Sequence, residues 1–170
     1  DSSTSRGLGD VYKRQAHGDC EAAAKAFEQM KQDPKGLTID VITHTSLIVA
    51  YGKAGKVDLA FDQFNTMTKK DKIEPTIVTY GALMDALSRE VGRRSGNGGF
   101  KSNNKKDISY VKDALDRVFN LRSDLQASGL HMDVRVLNCL VSACGRAAAF
   151  EELRTDALDR AFDILSLIHI

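Results

Sequence analysis

The chain has 170 residues, 42% of them hydrophobic, 28% charged and 6% aromatic, with a formal net charge of +1. That apolar share is enough for a buried core. No apolar run approaches the roughly 18 residues that a membrane span requires, and the balanced charge is unlike that of a strong nonspecific nucleic-acid binder. A basic groove remains compatible with it, because a ligand senses the local field and not the total charge.

Residues 1–15, DSSTSRGLGDVYKRQ, have no apolar period and read as a non-native or disordered leader. They resemble translated sequencing-adapter sequence, as does LSLIHI at 165–170, and both ends are set outside the fold. With the first helix of the first unit missing, the chain is expected to be a fragment. Residues 16–40 read as the second half of a first repeat: an Ala-rich helix from Gly18 to Met30, ended by Asp33, Pro34 and Gly36 and closed by Asp40.

Residues 41–76 form one complete unit of helix, turn, helix, turn. Leu47, Ile48 and Tyr51 fall at the spacing that gathers apolar side chains on one helical stripe. Gly55 breaks the helix. Val57, Ala60, Phe61, Phe64 and Met67 then recur at three- and four-residue steps, and Pro75 ends the second helix. The third unit, 77–133, opens with a helix over 77–87, after which the pattern fails. Residues 89–107, REVGRRSGNGGFKSNNKKD, read as a flexible basic insertion rich in Gly and Asn. Its arginines and lysines could sit on phosphates, although a solvated loop without a role fits the composition as well. A long second helix follows over 108–127, its face formed by Ala114, Val118, Leu121 and Leu125. The fourth unit, 134–164, has a shorter insertion around Ala148 to Arg154.

Internal repetition is countable. Gly18, Ala23, Phe27 and Met30 recur 37 positions later as Gly55, Ala60, Phe64 and Met67. Val41, Thr43, Leu47 and Ile48 recur 36 positions later as Ile77, Thr79, Leu83 and Met84, and again after another 57 as Val134, Val136, Leu140 and Val141. DALDRVF at Asp113 matches DALDRAF at Asp156, so the additional residues lie between the helices of a pair. Hairpins that cannot bury their stripes alone, with insertions confined to one turn, are the mark of a solenoid.

Val41, Thr43, Leu47, Ile48, Lys53, Gly55, Ala60, Phe64, Met67 and Pro75, followed by Ile77, Thr79, Tyr80, Leu83, Gly129 and Asp133, resemble the pentatricopeptide repeat. The tetratricopeptide alternative expects an early Trp and Leu-Gly pair, and the chain contains no Trp. The resemblance implies an all-α, right-handed α-solenoid of antiparallel helical hairpins that reads single-stranded RNA one base per repeat. It implies a role in organellar RNA processing, stability, translation or editing, in mitochondrion or chloroplast, with other RNA-processing proteins as further partners. It implies no enzymatic activity, cofactor, membrane partner or small-molecule substrate.

Residue by residue, the resemblance assigns base reading to Asp40, Thr45, Thr76, Gly81, Asp133 and Asn138. It assigns stacking between bases to Ile42, Val78 and Arg135, and phosphate contact to Lys53, Arg89 and Arg146. Gly81 has no side chain with which to read, Arg135 stands where Ile or Val is usual, and Thr45 with Thr76 is a non-standard pair. Cys20, Cys139 and Cys144 form no CxxC and read as buried thiols of a reducing compartment. His17, His44, His131 and His169 have no partner at ligand spacing, so no metal site is expected. No nucleophile-elbow or phosphate-loop motif occurs. The alternative function is a protein-binding helical-repeat scaffold of tetratricopeptide type.

Overall fold

A computed structural model describes residues 19–32, 38–94 and 105–168. The leader, Gly18, the stop at Asp33, Pro34 and Gly36, the centre of the basic insertion at 95–104, and residues 169–170 lie outside the described residues. Among the described residues every regular element is helical. The chain divides into two compact units, Asp1–Pro75 and Thr76–Ile170.

The first unit contains α1 over residues 19–32, α2 (Val41–Ala54) and α3 (Val57–Asn65), which runs on into a π-helical turn, Thr66–Lys70. Helix α2 starts where it does because Asp40, in extended backbone, accepts a hydrogen bond from the Thr43 N–H at 2.9 Å and another from Thr43 Oγ1 at 2.7 Å. It stops at Gly55, whose φ of 76° lets the Lys56 N–H return to the Tyr51 carbonyl at 2.9 Å. The resulting hairpin buries Leu47, Ile48, Val57, Ala60 and Met67, while Tyr51, Phe61 and Phe64 are half-buried at its edges. Each fully buried aliphatic chain contributes about 1.5–3 kcal/mol of transfer free energy.

The second unit holds α4 (Ile77–Arg94), α5 (Lys105–Ala127), α6 (Val134–Ala147), a 3₁₀ turn (Glu151–Leu153) and α7 (Arg154–Ile168). Helix α4 packs on both α5 and α6, and α6 packs on α7, so two hairpins are stacked with their first helices side by side. Leu83, Met84, Leu87, Leu115, Val118, Leu121, Leu125, Leu140 and Ile164 are buried between them. Arg160 ties α7 to α5 through Asp116 at 2.7 Å while sitting over the Phe119 ring.

Three helix boundaries differ from the sequence reading. Helix α4 continues to Arg94, and α5 begins at Lys105, so both ends of the insertion expected over 89–107 are helical. Ion pairs one helical turn apart carry the extension: Arg89 with Asp85 at 2.7 Å, then Arg93 and Arg94 with Glu90 at 2.6 and 3.2 Å. Arg94 also reaches Asp107 at 3.1 Å and stacks 3.8 Å from the Tyr110 ring centroid, clamping the base of the insertion. At the other end, residues 165–168, expected to lie outside the fold, continue α7.

The repeated sequence does not give repeated burial. Val134 on α6 is 72% exposed, and Phe162 on α7 is 67% exposed, whereas Phe119, which matches Phe162 in the second self-match, is half-covered on α5. Gly145 on α6 faces open space, while its counterpart Ser88 on α4 is buried beneath Arg146.

Candidate nucleic-acid interface

The base-reading and stacking positions singled out by the repeat register fall at the starts of the first helices α2, α4 and α6. At the second position of each helix the side chain is exposed: Ile42 is 69% exposed, Val78 is 48% exposed, and Arg135 points to solvent with no ion-pair partner among the described residues. Nothing in the packing calls for large apolar groups there.

The residue that closes each unit also caps the next helix. Asp133 accepts the Val136 N–H at 2.8 Å as N-cap of α6, just as Asp40 does for α2. Those bonds engage Oδ1 of each carboxylate, and both residues are exposed. The Thr43 N–H bond holds the Asp40 carboxyl below its ordinary range, so it stays an anionic acceptor. Thr76 does the same job in reverse. Its carbonyl accepts the Tyr80 N–H at 3.1 Å, and its own N–H donates to Thr79 Oγ1 at 3.2 Å, half of a capping box.

The fifth positions diverge. Asn138 is exposed, but Thr45 is only 7% exposed, and Gly81 is buried, its missing Cβ lying 3.8 Å from Val136 Cγ2 of α6. In the second unit the base-reading and stacking positions open to a ligand are therefore Thr76, Val78, Asp133, Arg135 and Asn138. Thr45 and Thr76 belong to different units.

Of the three cations at the thirteenth positions, Lys53 is exposed without a partner among the described residues. Arg89 pairs with Asp85, and Arg146 donates to Ser88 Oγ at 2.7 Å, its chain lying where a Cβ on Gly92 would meet it at 3.0 Å. Arg146 is thus a brace between α6 and α4. Cys139 lies among the charges of Asp85, Arg89, Asp133 and Arg146, yet burial pushes its thiol up to about 11. Cys144 is pushed to about 11 for the same reason, so neither is a thiolate at neutral pH.

Sequence spacing missed one cluster. His44 is completely buried and receives a 2.7 Å hydrogen bond from Gln63 Nε2 at Nδ1, which places the imidazole proton on Nε2. Nε2 lies 3.2 Å from Asp71 Oδ2 with poor hydrogen-bond alignment, so the contact is mainly electrostatic. The Phe27 ring of α1 packs edge-on at 5.1 Å. Burial lowers the His44 pKa, against the opposing pull of Asp71. The fourth position of the next repeat does the equivalent: Tyr80 Oη lies 3.4 Å from Ser128 Oγ. In both repeats a side chain of the first helix is tied to the turn that ends the second. The only foreshadowing was that His44 and Tyr80 occupy one register position.

No described helix is long and apolar enough to cross a membrane. Among the described residues no group of three or more His, Cys, Asp or Glu is placed to hold a metal ion.

Residues 27–90 match the family model of the pentatricopeptide repeat domain. A chloroplastic pentatricopeptide repeat-containing protein of Arabidopsis thaliana is 24% identical over 81% of this chain and 23% of its own length. The chloroplastic pentatricopeptide repeat-containing protein DOT4 of Arabidopsis thaliana is 38% identical over 43% of the chain and 8% of its own length. A mitochondrial pentatricopeptide repeat-containing protein of the same plant is 30% identical over 44% of the chain and 9% of its own length. The chain thus spans less than a quarter of the length of each of these relatives.

Proposed function

The chain belongs to the pentatricopeptide repeat family, and from that premise we propose that it is a sequence-selective single-stranded RNA-binding module of an organelle, mitochondrion or chloroplast, serving RNA processing, stability, translation or editing. The observation that carries this reading is the exposure of Ile42, Val78 and Arg135 at one register position, each following a helix-capping polar residue. An apolar or planar group held on a rigid helix start offers a surface between two bases. The cap beside it offers an acceptor to a base edge, with its backbone already fixed by the helix it starts.

In the second unit Asp133, with Gly81 beside it, would read one base flanked by Val78 and Arg135, and Asn138 would read the next. Thr45 and Gly81, being buried, contribute shape more than hydrogen bonds. Lys53 is the thirteenth-position cation best placed for phosphate, because Arg89 and Arg146 are already held by protein groups. The reading assigns these residues binding and no chemical step.

The test is selection from random single-stranded RNA at two salt concentrations. Asp133→Asn keeps the cap, since Asn caps as well as Asp, but adds a donor. It is expected to change the enriched base at one position while leaving the salt dependence intact. Asn138→Ala is expected to relax the neighbouring position, which the next repeat reads. Absence of any enriched motif with the unaltered chain contradicts RNA reading and turns the search to protein partners.

A further inference from the structure

The turn that ends α3 departs from its counterpart after α5 in a way that packing alone does not explain. After α5 the chain reverses through Gly129 at φ 71°, and the Leu130 N–H returns to the Leu125 carbonyl five residues back. After α3 the Ile73 N–H returns to the Met67 carbonyl six residues back, and the added residue is absorbed by the π-helical turn Thr66–Lys70. The left-handed position is then occupied by Lys72 at φ 53°, where a side chain is strained and Gly129 is not. The segment reads Lys69, Lys70, Asp71, Lys72, and all three lysines are exposed without an ion-pair partner among the described residues. Asp71, the one carboxylate among them, remains exposed but faces the buried His44, with Oδ2 3.2 Å from Nε2. An inserted residue, a strained lysine and a carboxylate turned toward His44 together leave three exposed lysines against one acidic group on this turn of the first unit.

We propose that Lys69, Lys70 and Lys72 form a phosphate-contact site for the backbone of a bound single-stranded RNA, separate from the base-reading positions and held outward by the His44–Asp71 contact. This rests on the RNA-binding reading above. Lysine ammonium groups on a turn suit it, because backbone contact needs point charges of adjustable reach and not a fixed fork. Such contacts raise affinity without changing which bases are preferred.

The experiment is fluorescence anisotropy of the full 170-residue chain with a labelled 20-nucleotide random RNA between 50 and 300 mM KCl. It compares the unaltered chain with Lys69→Gln/Lys70→Gln/Lys72→Gln, whose helical CD spectrum must match. For single strands each phosphate contact adds about 0.7 to the slope of log K against log salt. The triple variant is therefore expected to lose about 2 from that slope and to bind roughly 10- to 50-fold more weakly at 0.15 M salt. Its selected motif stays that of the unaltered chain. Lys72→Gly, which relieves the strained backbone and removes one charge, is expected to lose about 0.7 of slope despite a turn at least as stable. A triple variant that binds RNA with unchanged slope and affinity overturns this site while leaving the RNA reading intact. No binding by the unaltered chain overturns both.

Discussion

Residues 71–76 and 128–133 close successive repeats with a shared plan, one left-handed residue and one tie, but with different lengths and different chemistry. Both pass through one left-handed residue, Lys72 or Gly129, and both are tied to the fourth residue of a first helix, Asp71 to His44 and Ser128 to Tyr80. The fold demands a reversal and a tie. It does not demand charge, because a glycine and a neutral hydroxyl pair suffice after α5. The charged version after α3 carries a buried imidazole, which packs the hairpin, and three exposed lysines, which belong to something other than holding it together.

The largest expected break in this comparison comes from His44→Ala, which empties a fully buried site touching Phe27, Gln63 and Asp71. A loss of about 2–4 kcal/mol is expected by urea titration. A near-neutral result would mean that the first tie is ornamental. Exchanging the left-handed residues comes next. Gly129→Lys is expected to destabilise by about 1–2 kcal/mol, and Lys72→Gly to stabilise by about 1 kcal/mol. Equal signs for the two would show that the turns are not equivalent.

A pH titration of stability separates the two ties by direction. Burial holds the folded His44 pKa below its ordinary value, so the unfolded chain takes up the proton first. The stability due to neutral His44 is present above about pH 6.5. It is lost as pH falls from there toward the folded pKa. His44→Phe is expected to flatten that part of the profile, leaving the carboxylate-dependent loss at lower pH. The smallest effect is that of Tyr80→Phe, which removes only the 3.4 Å hydroxyl contact and should cost about 0.5 kcal/mol.

The repeat register was legible because apolar positions recur at fixed offsets, and helix packing preserves those positions: Leu47, Ile48, Leu83, Met84 and Leu140 are all buried. The caps were legible in part, since Asp40 and Asp133 stand directly before an apolar-periodic run. Their capping bonds to Thr43 and Val136 add a structural duty to the base-reading role that the register suggested. The length of α4 was hidden by composition. Arg89, Glu90, Arg93 and Arg94 look like coil in a Gly- and Asn-rich context until their spacing from Asp85 and from one another is counted. The His44 cluster was not legible, because Gln63 and Asp71 lie 19 and 27 residues away and meet it only once the hairpin closes. Thr45 looked accessible because its polarity matches a helix surface, yet the fold buries it.

The central claim is that the bases of ligand RNA meet the starts of the first helices and not the second helices. Photo-crosslinking of the chain to single-stranded RNA containing 4-thiouridine, with the crosslinked peptides identified by mass spectrometry, tests it most directly. The account predicts adducts at Ile42, Val78, Arg135 and their immediate neighbours, reduced by Arg135→Ala at the α6 site alone. Adducts confined to α5 and α7, with the starts of α2, α4 and α6 unlabelled, would contradict it.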